Sequence, residues 1–211
     1  MGYYPIFLDL TGRPCVVIGG GTVAEHKVKG LLQAGADVTI ISPSLTSKLA
    51  FLVSQEEVRH IGRQYEAGDL RGYALAFVAT DDADANGAVV KEGQEQGVWV
   101  NAADDPANCD FILPSVLRRG ELAVAVATGG TSPALSRAIR EELETYFTED
   151  YAALAQVVAE VRLKLRERSV TPTAEAWHKA LNGDLRRLIK EGKREDAKAY
   201  LFKRLGAEIC R

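Results

Sequence analysis

The sequence has little cysteine and no long apolar run. Its three cysteines, Cys15, Cys109 and Cys210, are too few and too scattered in 211 residues for a disulfide framework, so a reducing cytoplasm is the expected setting. No apolar stretch approaches the roughly 20 residues that span a bilayer. The first residues also lack the basic segment and apolar run of a secretory signal. We therefore expect neither a disulfide-stapled secreted protein nor a membrane partner.

Histidine is equally scarce, and its placement argues against a dedicated metal site. His26, His60 and His178 fall on three separate predicted elements, with no i, i+4 pair and no CxxC motif. We therefore predict no resident metal. Cys109 beside Asp110 leaves two readings open, a transient metal ligand or a packed thiol.

Several common catalytic motifs are also missing. No tyrosine is followed four residues later by lysine, which excludes a short-chain dehydrogenase. The Gly-x-Ser-x-Gly elbow of serine hydrolases and the Gly-Lys-Ser/Thr phosphate loop are absent too.

Charge is unevenly distributed along the chain. Residues 1–150 carry 12 Lys and Arg against 21 Asp and Glu, whereas residues 151–211 carry 14 against 8. A basic tail on an acidic body is typical of a protein with an anionic partner, and equally of helices with solvated basic faces. No feature points to nucleic acid.

Strand and helix patterns alternate through the first 113 residues. Buried strands separated by single helices imply parallel pairing and helices on both faces of the sheet. The pattern predicts an α/β fold with a Rossmann-like parallel sheet, residues 1–113. The predicted strands are 14–19, 38–42, 58–64, 75–80 and 98–103; the predicted helices are 24–35, 44–55 with Ser44 as N-cap, and 82–97.

After residue 113 the pattern changes. Residues 112–130 read as two strands around Arg119 and Gly120, and residues 131–147 as a helix with Ser132 at its N-cap and Pro133 at its first position. We therefore predict a short strand–helix segment at 114–147 and a helical C-terminal domain at 148–211.

A glycine loop links the first predicted strand to the first helix. Its sequence, GGGTVA, matches G-x-G-x-x-A, with Gly19 and Gly21 as the key glycines and Ala24 in the third position. Such a loop lets the backbone approach a pyrophosphate, which the N–H groups at the helix N-terminus then bind. A glycine-rich turn without a ligand is the alternative.

The residues that would contact the ribose are not charged. Where an acid is usual, about 20 residues after the loop, the sequence has Ser42, Pro43 and Ser44. Lys48 is the nearest cation and no arginine is adjacent, which favours NAD over NADP. Thr80, at the end of the fourth strand, is expected to face the same crevice.

Acids and a thiol follow the fifth strand in the segment VWVNAADDPANCDFILP. Asp104, Asp105, Asp110 and Cys109 lie where that strand leaves the sheet. A catalytic base, a metal site and a plain turn are all compatible with these residue types. Successive side chains on an extended segment point apart, so only one of Asp104 and Asp105 is expected to face the crevice.

Four motifs together resemble the siroheme synthase N-terminal region family. They are GGGTVAEHK, VATDD, NAADDPANCDFILPS and ATGGTSPALSRAIREELE, in the family's order, and the resemblance covers residues 3–168. It implies NAD-dependent oxidation of precorrin-2 to sirohydrochlorin. In some members it also implies insertion of ferrous iron into that product.

The resemblance also implies roles for particular residues. Thr22, Val23, Pro43 and Ser44 occupy the family's NAD positions, and Asp104 occupies the position of the general base. Asp105 is read as a turn acid. The segment 114–147 would join a homodimer. Thr128 stands where some relatives have a phosphorylated serine, so that regulation is not expected here.

The substrate's carboxylates require cations, for which Arg118, Arg119, Arg137 and Arg140 are candidates beside the basic tail. Two non-catalytic hypotheses remain open at this point. An NAD-binding sensor domain would bind nucleotide without turnover, and a tetrapyrrole carrier would use the basic tail without NAD.

Overall fold

The computed structural model describes residues 2–102 and 108–206. The chain divides between Leu113 and Pro114 into two compact units. Within the described ranges, no helix is both long enough and apolar enough to cross a membrane.

Among residues 2–102 and 108–113, the first unit forms a five-stranded parallel sheet with three helices. The strand order is β3-β2-β1-β4-β5, and every neighbouring pair is parallel. This confirms the predicted Rossmann-like fold. The elements are β1 (Pro14–Ile18), α1 (Thr22–Gln33), β2 (Asp37–Ile41), α2 (Ser47–Ser54), β3 (Arg59–Ile61), β4 (Leu75–Val78), α3 (Ala83–Gln96) and β5 (Trp99–Ala102).

Both faces of this sheet are buried, as the unbroken apolar strands require. Val17 of β1 packs in a cluster with Ala24 and Val28 of α1. The next residue, Ile18, points to the opposite face and packs in a second cluster with Val89 of α3. Alternating directions along β1 therefore hold helices on the two sides.

The strand order also fixes where a ligand can bind. The chain runs outward from β1 to β3 and then returns to place β4 on the other side of β1. Loops after β1 and β4 consequently leave in opposite directions and open a crevice at the carboxyl ends of these strands.

The predicted start of α2 is wrong. Its N-cap is Thr46, whose Oγ1 accepts a hydrogen bond from Leu49 N at 3.3 Å, and not Ser44. The carbonyl of Ser44 accepts a hydrogen bond from Ser42 Oγ, and Thr46 N donates to Gly20 O. Because these bonds hold the preceding residues against the glycine loop, the helix begins later.

The second unit begins with an antiparallel hairpin, β6 (Ser115–Arg119) and β7 (Leu122–Val126). The helix α4 (Pro133–Tyr146) follows, and Ser132 Oγ accepts a hydrogen bond from Leu135 N at 3.2 Å. The predicted N-cap Ser132 and first-turn Pro133 are therefore confirmed. Leu117 is buried on the hairpin, which packs against α4.

Four further helices follow in the described part of the second unit: α5 (Asp150–Glu167), α6 (Ala174–Ala180), α7 (Gly183–Lys190) and α8 (Arg194–Arg204). They share one apolar core that includes Val161, Leu185 and Leu201. The predicted helical nature of this region is confirmed.

Candidate cofactor site

Gly19 lies where the backbones of three strands converge. Its N–H donates to Ile41 O at 2.9 Å, at the end of β2. A Cβ added to Gly19 would lie 2.1 Å from Ala79 O, just after β4, and the residue has φ +121°. Only glycine fits this turn, so Gly19 is required by the fold itself.

Gly20 holds the glycine loop against the segment that follows β2. A Cβ added here would lie 2.0 Å from Ser44 O, and Thr46 N donates to Gly20 O at 3.0 Å. Pro43 and Ser44 are exposed beside this contact. The structure thus brings the predicted pyrophosphate and ribose segments to one place.

Gly21 differs from its two neighbours. A Cβ added at this position would meet nothing within 4 Å, and φ is −86°, which any residue adopts. Gly21 is also the N-cap of α1, which has no side-chain cap, and Thr22 and Val23 are exposed. The protein itself does not need glycine here, whereas close approach of a pyrophosphate to the helix N-terminus does.

The end of β4 supplies the other wall of the crevice. Asp82 caps α3 by accepting hydrogen bonds from Asp84 N and Ala85 N. The carbonyl of Thr80 accepts a hydrogen bond from Asn86 Nδ2 at 3.2 Å. Asn86 therefore fixes the turn that presents Thr80, a role for which the sequence offered no signal beyond proximity.

The cation nearest in sequence to the expected ribose segment is already paired. Lys48 Nζ lies 3.1 Å from Glu25 Oε2 in the first turn of α1. The Thr46 hydroxyl and the Lys48 ammonium hold the pKa of Glu25 below its ordinary value. Lys48 is thus engaged by a carboxylate of its own unit.

Asp104 and Asp105 lie outside the described residues. The two neighbours singled out with them are described and have partners on β5. Asp110 Oδ2 accepts a hydrogen bond from Val100 N at 2.7 Å, and Cys109 Sγ lies 3.2 Å from both the N and the O of Ala102. These contacts give Cys109 and Asp110 a structural role in fastening the chain along the edge of β5.

Two polar residues that sequence reasoning missed lie beside this edge. Asn101 is buried at 7% exposure; its Nδ2 donates to Phe111 O at 2.9 Å and its Oδ1 accepts from Lys27 Nζ at 3.0 Å. Lys27 also lies 5.7 Å from the centre of the Phe77 ring. A polar residue in the third position of an apolar strand was the available signal.

Comparison with known proteins bears on this geometry. Residues 6–115 match a family model described as "Putative NAD(P)-binding", and residues 119–146 match one described as "Sirohaem biosynthesis protein central". The chain belongs to the siroheme synthase N-terminal family. The predicted dinucleotide-binding domain is thereby confirmed.

Curated relatives in this family are longer than the chain. It is 39% identical over 196 residues to a siroheme synthase of Methylobacillus flagellatus, covering 92% of this chain and 42% of the relative. A siroheme synthase of Photobacterium profundum is 37% identical, with 96% and 44% covered. The chain therefore spans less than half the length of these relatives.

A solved structure is similar to this chain over the whole length of that structure. A protein titled "SirC, precorrin-2 dehydrogenase" superimposes with a TM-score of 0.78 at 27% identity, covering 95% of this chain and 100% of that one. The likeness includes both units and not only the dinucleotide-binding sheet.

In this member of the family, the four arginines named as carboxylate ligands are not equivalent. Arg119 Nε donates to Phe147 O at 2.8 Å and lies 3.2 Å from Glu149, and Arg140 pairs with Glu141 and Glu144. Arg118 and Arg137 are exposed.

Thr128 likewise has local partners, because its Oγ1 donates to Ser132 O at 3.0 Å and accepts from Ser132 N at 3.0 Å. In the ranges 2–102 and 108–206, no cluster of three or more His, Cys, Asp or Glu side chains could hold a metal ion.

Proposed function

We propose that this chain oxidises precorrin-2 to sirohydrochlorin with NAD as the electron acceptor. The observation that carries the proposal is the match over 95% of this chain to all of a precorrin-2 dehydrogenase. A glycine loop whose third glycine leaves open space at a helix N-terminus supports the choice of cofactor.

Oxidation by this route removes one hydride and one proton from the reduced tetrapyrrole. When bound, NAD supplies the acceptor for the hydride. In the proposal, Gly21, Thr22 and Val23 offer backbone to the pyrophosphate, while Pro43, Ser44 and Thr80 line the crevice. Gly19 shapes the turn that makes this possible.

The proton needs a base, and we assign Asp104 to that role from its position in the family motif. A carboxylate serves as a base near neutral pH when burial or a neighbouring acid raises its pKa. Asp110 Oδ2 already accepts a hydrogen bond from Val100 N at 2.7 Å, which favours a structural role for that carboxylate.

NAD is proposed in preference to NADP. A 2′-phosphate needs an unpaired cation close to the ribose, and Lys48 is held by Glu25 at 3.1 Å. The scarcity of cysteine favours a reducing compartment such as the cytoplasm.

A homodimer joined through residues 114–147 also stays a proposal. Val116 on β6 and Leu135 on α4 are 38% and 51% exposed, which supports an apolar contact surface on this segment. Light scattering across a range of protein concentrations measures the mass directly.

The decisive test is anaerobic incubation with precorrin-2 and NAD while NADH absorbance is followed. We expect NADH and sirohydrochlorin in equal amounts. An NAD-binding sensor would bind the nucleotide without forming NADH, and a carrier would bind the tetrapyrrole without needing NAD. Ferrous iron with sirohydrochlorin tests metal insertion in a separate reaction.

For the base, Asp104→Asn and Asp105→Asn form a matched pair that removes the same charge one residue apart. We expect Asp104→Asn to lose about 10²–10⁴-fold in turnover and to keep its NAD affinity. Asp105→Asn should stay near the original rate. The opposite ranking would assign the base to Asp105.

A further inference from the structure

A cleft runs along the outer edge of the sheet, away from the glycine loop. It is bounded by β2, β3 and the turn before β4, and we call it the β3 cleft, defined by Thr39, Arg59, His60, Ile61, Arg71 and Tyr73. None of the residues predicted to bind the dinucleotide lines it. It lies wholly within the first unit.

The size and walls of the β3 cleft suit a small molecule. Its volume is about 740 Å³, within the roughly 300–1,000 Å³ of ligand-binding pockets. Val58 and Ile61 supply apolar wall, and Tyr73 adds an aromatic ring. An apolar or aromatic body is the complementary ligand shape.

The rim of the cleft carries an available positive charge. Arg59 is paired with Asp37 at 2.7 Å, whereas Arg71 is exposed and has no ion pair with any described residue. Glu56 is also on the rim and is exposed like Arg71, so water screens both charges and an anionic group has to contact Arg71 directly. Arg71 can therefore bind an anionic group without breaking an existing contact.

A buried hydroxyl in the wall lacks a partner. Thr39 is 2% exposed, and its Oγ1 makes no hydrogen bond to any described residue. Burying a hydroxyl without a hydrogen bond is unfavourable, and such groups are rare in folded proteins. The Oγ1 surface is closed to solvent, so a ligand oxygen in the cleft would satisfy it only after a rotation of the Thr39 side chain toward the cleft.

The His60 ring adds a second polar position. Its Nε2 lies 2.8 Å from Ser42 O, and since a carbonyl only accepts, Nε2 carries the hydrogen. In the neutral ring Nδ1 is then an acceptor. The cleft thus combines an apolar wall, the guanidinium of Arg71, the hydroxyl of Thr39 and the ring of His60.

We propose that the β3 cleft binds a small aromatic anion, with the ring against Tyr73 and Ile61 and the anionic group on Arg71. Thr39 hydrogen-bonds the ligand from the floor once its side chain has rotated toward the cleft. This site is separate from the dinucleotide crevice and does not depend on the proposed reaction.

Phenyl phosphate is the probe, titrated into ¹⁵N-labelled full-length protein with saturating NAD so that the glycine loop is blocked. Amide signals of residues 58–62 and 71–73 are expected to shift. Inorganic phosphate has the anionic group without the ring, and phenol has the ring without the anionic group. Each is therefore expected to bind at least about tenfold more weakly than phenyl phosphate.

Two variants test the contacts. Arg71→Gln is expected to weaken phenyl phosphate about tenfold, and Thr39→Val at least about threefold, with the remaining amide spectrum preserved. Lys29→Gln removes an exposed positive charge elsewhere on this unit and should change the affinity less than about twofold.

Either variant binding phenyl phosphate as tightly as the original protein would overturn the proposal. Amide shifts confined to the glycine loop would do so too. Equal affinity for inorganic phosphate would show an unspecific ion contact and would count equally against it.

Discussion

Replacing Gly21 with alanine is expected to weaken dinucleotide binding while leaving the fold intact. In the free protein the added methyl group would meet nothing within 4 Å, and φ of −86° suits any residue. In the complex the same methyl group would lie between the backbone and the pyrophosphate. The substitution is therefore expected to lower the affinity for the dinucleotide without lowering the stability of the fold.

Alanine at position 21 has two opposing effects on stability and one steric effect on binding. Alanine lowers the entropy of the unfolded chain, which stabilises by about 0.4–1 kcal/mol, and is a poorer N-cap than glycine by a similar amount. These effects cancel to within about 1 kcal/mol, or about 2–4 °C in Tm for a chain of this size. Forcing a methyl group into a packed contact costs about 1–3 kcal/mol, which is about 5–150-fold in Kd.

The matched controls are Gly19→Ala and Gly20→Ala. Their Cβ atoms would lie 2.1 Å and 2.0 Å from backbone carbonyl oxygens, and Gly19 also has φ +121°. Both variants should lose about 3 kcal/mol or more of unfolding free energy. Calorimetric titration with NAD and thermal unfolding without it measure the two effects separately.

A Gly21→Ala variant that binds NAD within twofold of the original protein would contradict this prediction. The prediction would equally fail if Gly21→Ala lost as much stability as Gly19→Ala, because the open space beside Gly21 would then not exist in solution.

Three further predictions concern charged or polar groups with defined partners. Glu92, 6% exposed, accepts hydrogen bonds from the Tyr65 hydroxyl and from Gly68 N and Leu70 N, so Glu92→Ala should cost about 2–4 kcal/mol in urea unfolding. Burial raises the pKa of Glu92, but these hydrogen bonds outweigh burial and the net pKa is lowered. Its contribution to stability is therefore full above the unfolded pKa near 4.5 and is lost as the pH falls through the lower folded pKa. Glu92→Gln should make the stability of the protein less dependent on pH in this acid range. Glu25→Gln frees Lys48 and should raise NADP affinity relative to NAD, measured as the ratio of the two Kd values; an unchanged ratio would place Lys48 away from the ribose. Cys109→Ala should lower stability by about 1 kcal/mol and leave dehydrogenase turnover intact, whereas a loss of turnover at preserved stability would return the thiol to the reaction.

The sequence was sufficient to predict the sheet, because apolar strands alternating with single helices admit few other arrangements. The glycine loop could also be predicted, since its three glycines lie between a buried strand and an amphipathic helix. The sequence could not show which glycines the fold requires and which one leaves space for a ligand. Gly19 and Gly20 are fixed by Ala79 and Ser44, residues far along the chain, and only the folded structure brings these together.

The start of α2 shows the same limit in a small element. Ser44 and Thr46 are both good N-caps by residue type. The choice between them depends on the Thr46 N–H bonding to Gly20 O, a contact across 26 residues for which no local pattern exists. The pairing of Lys48 with Glu25 was hidden for the same reason.

The end of β5 is where residue type alone left the most alternatives open. Cys109 and Asp110 have the chemistry of ligands, and local sequence could not show that their side chains bond to the backbone of Ala102 and Val100. An acid that accepts a strand N–H at 2.7 Å would leave that donor unsatisfied if it turned toward a substrate or metal, at a cost of about 1–3 kcal/mol. Asp110→Asn keeps an acceptor oxygen for Val100 N, so it should preserve both stability and turnover, whereas Asp104→Asn should preserve stability alone. The two aspartates, six positions apart, are thus distinguished by their variants, because only Asp104→Asn is expected to lose turnover.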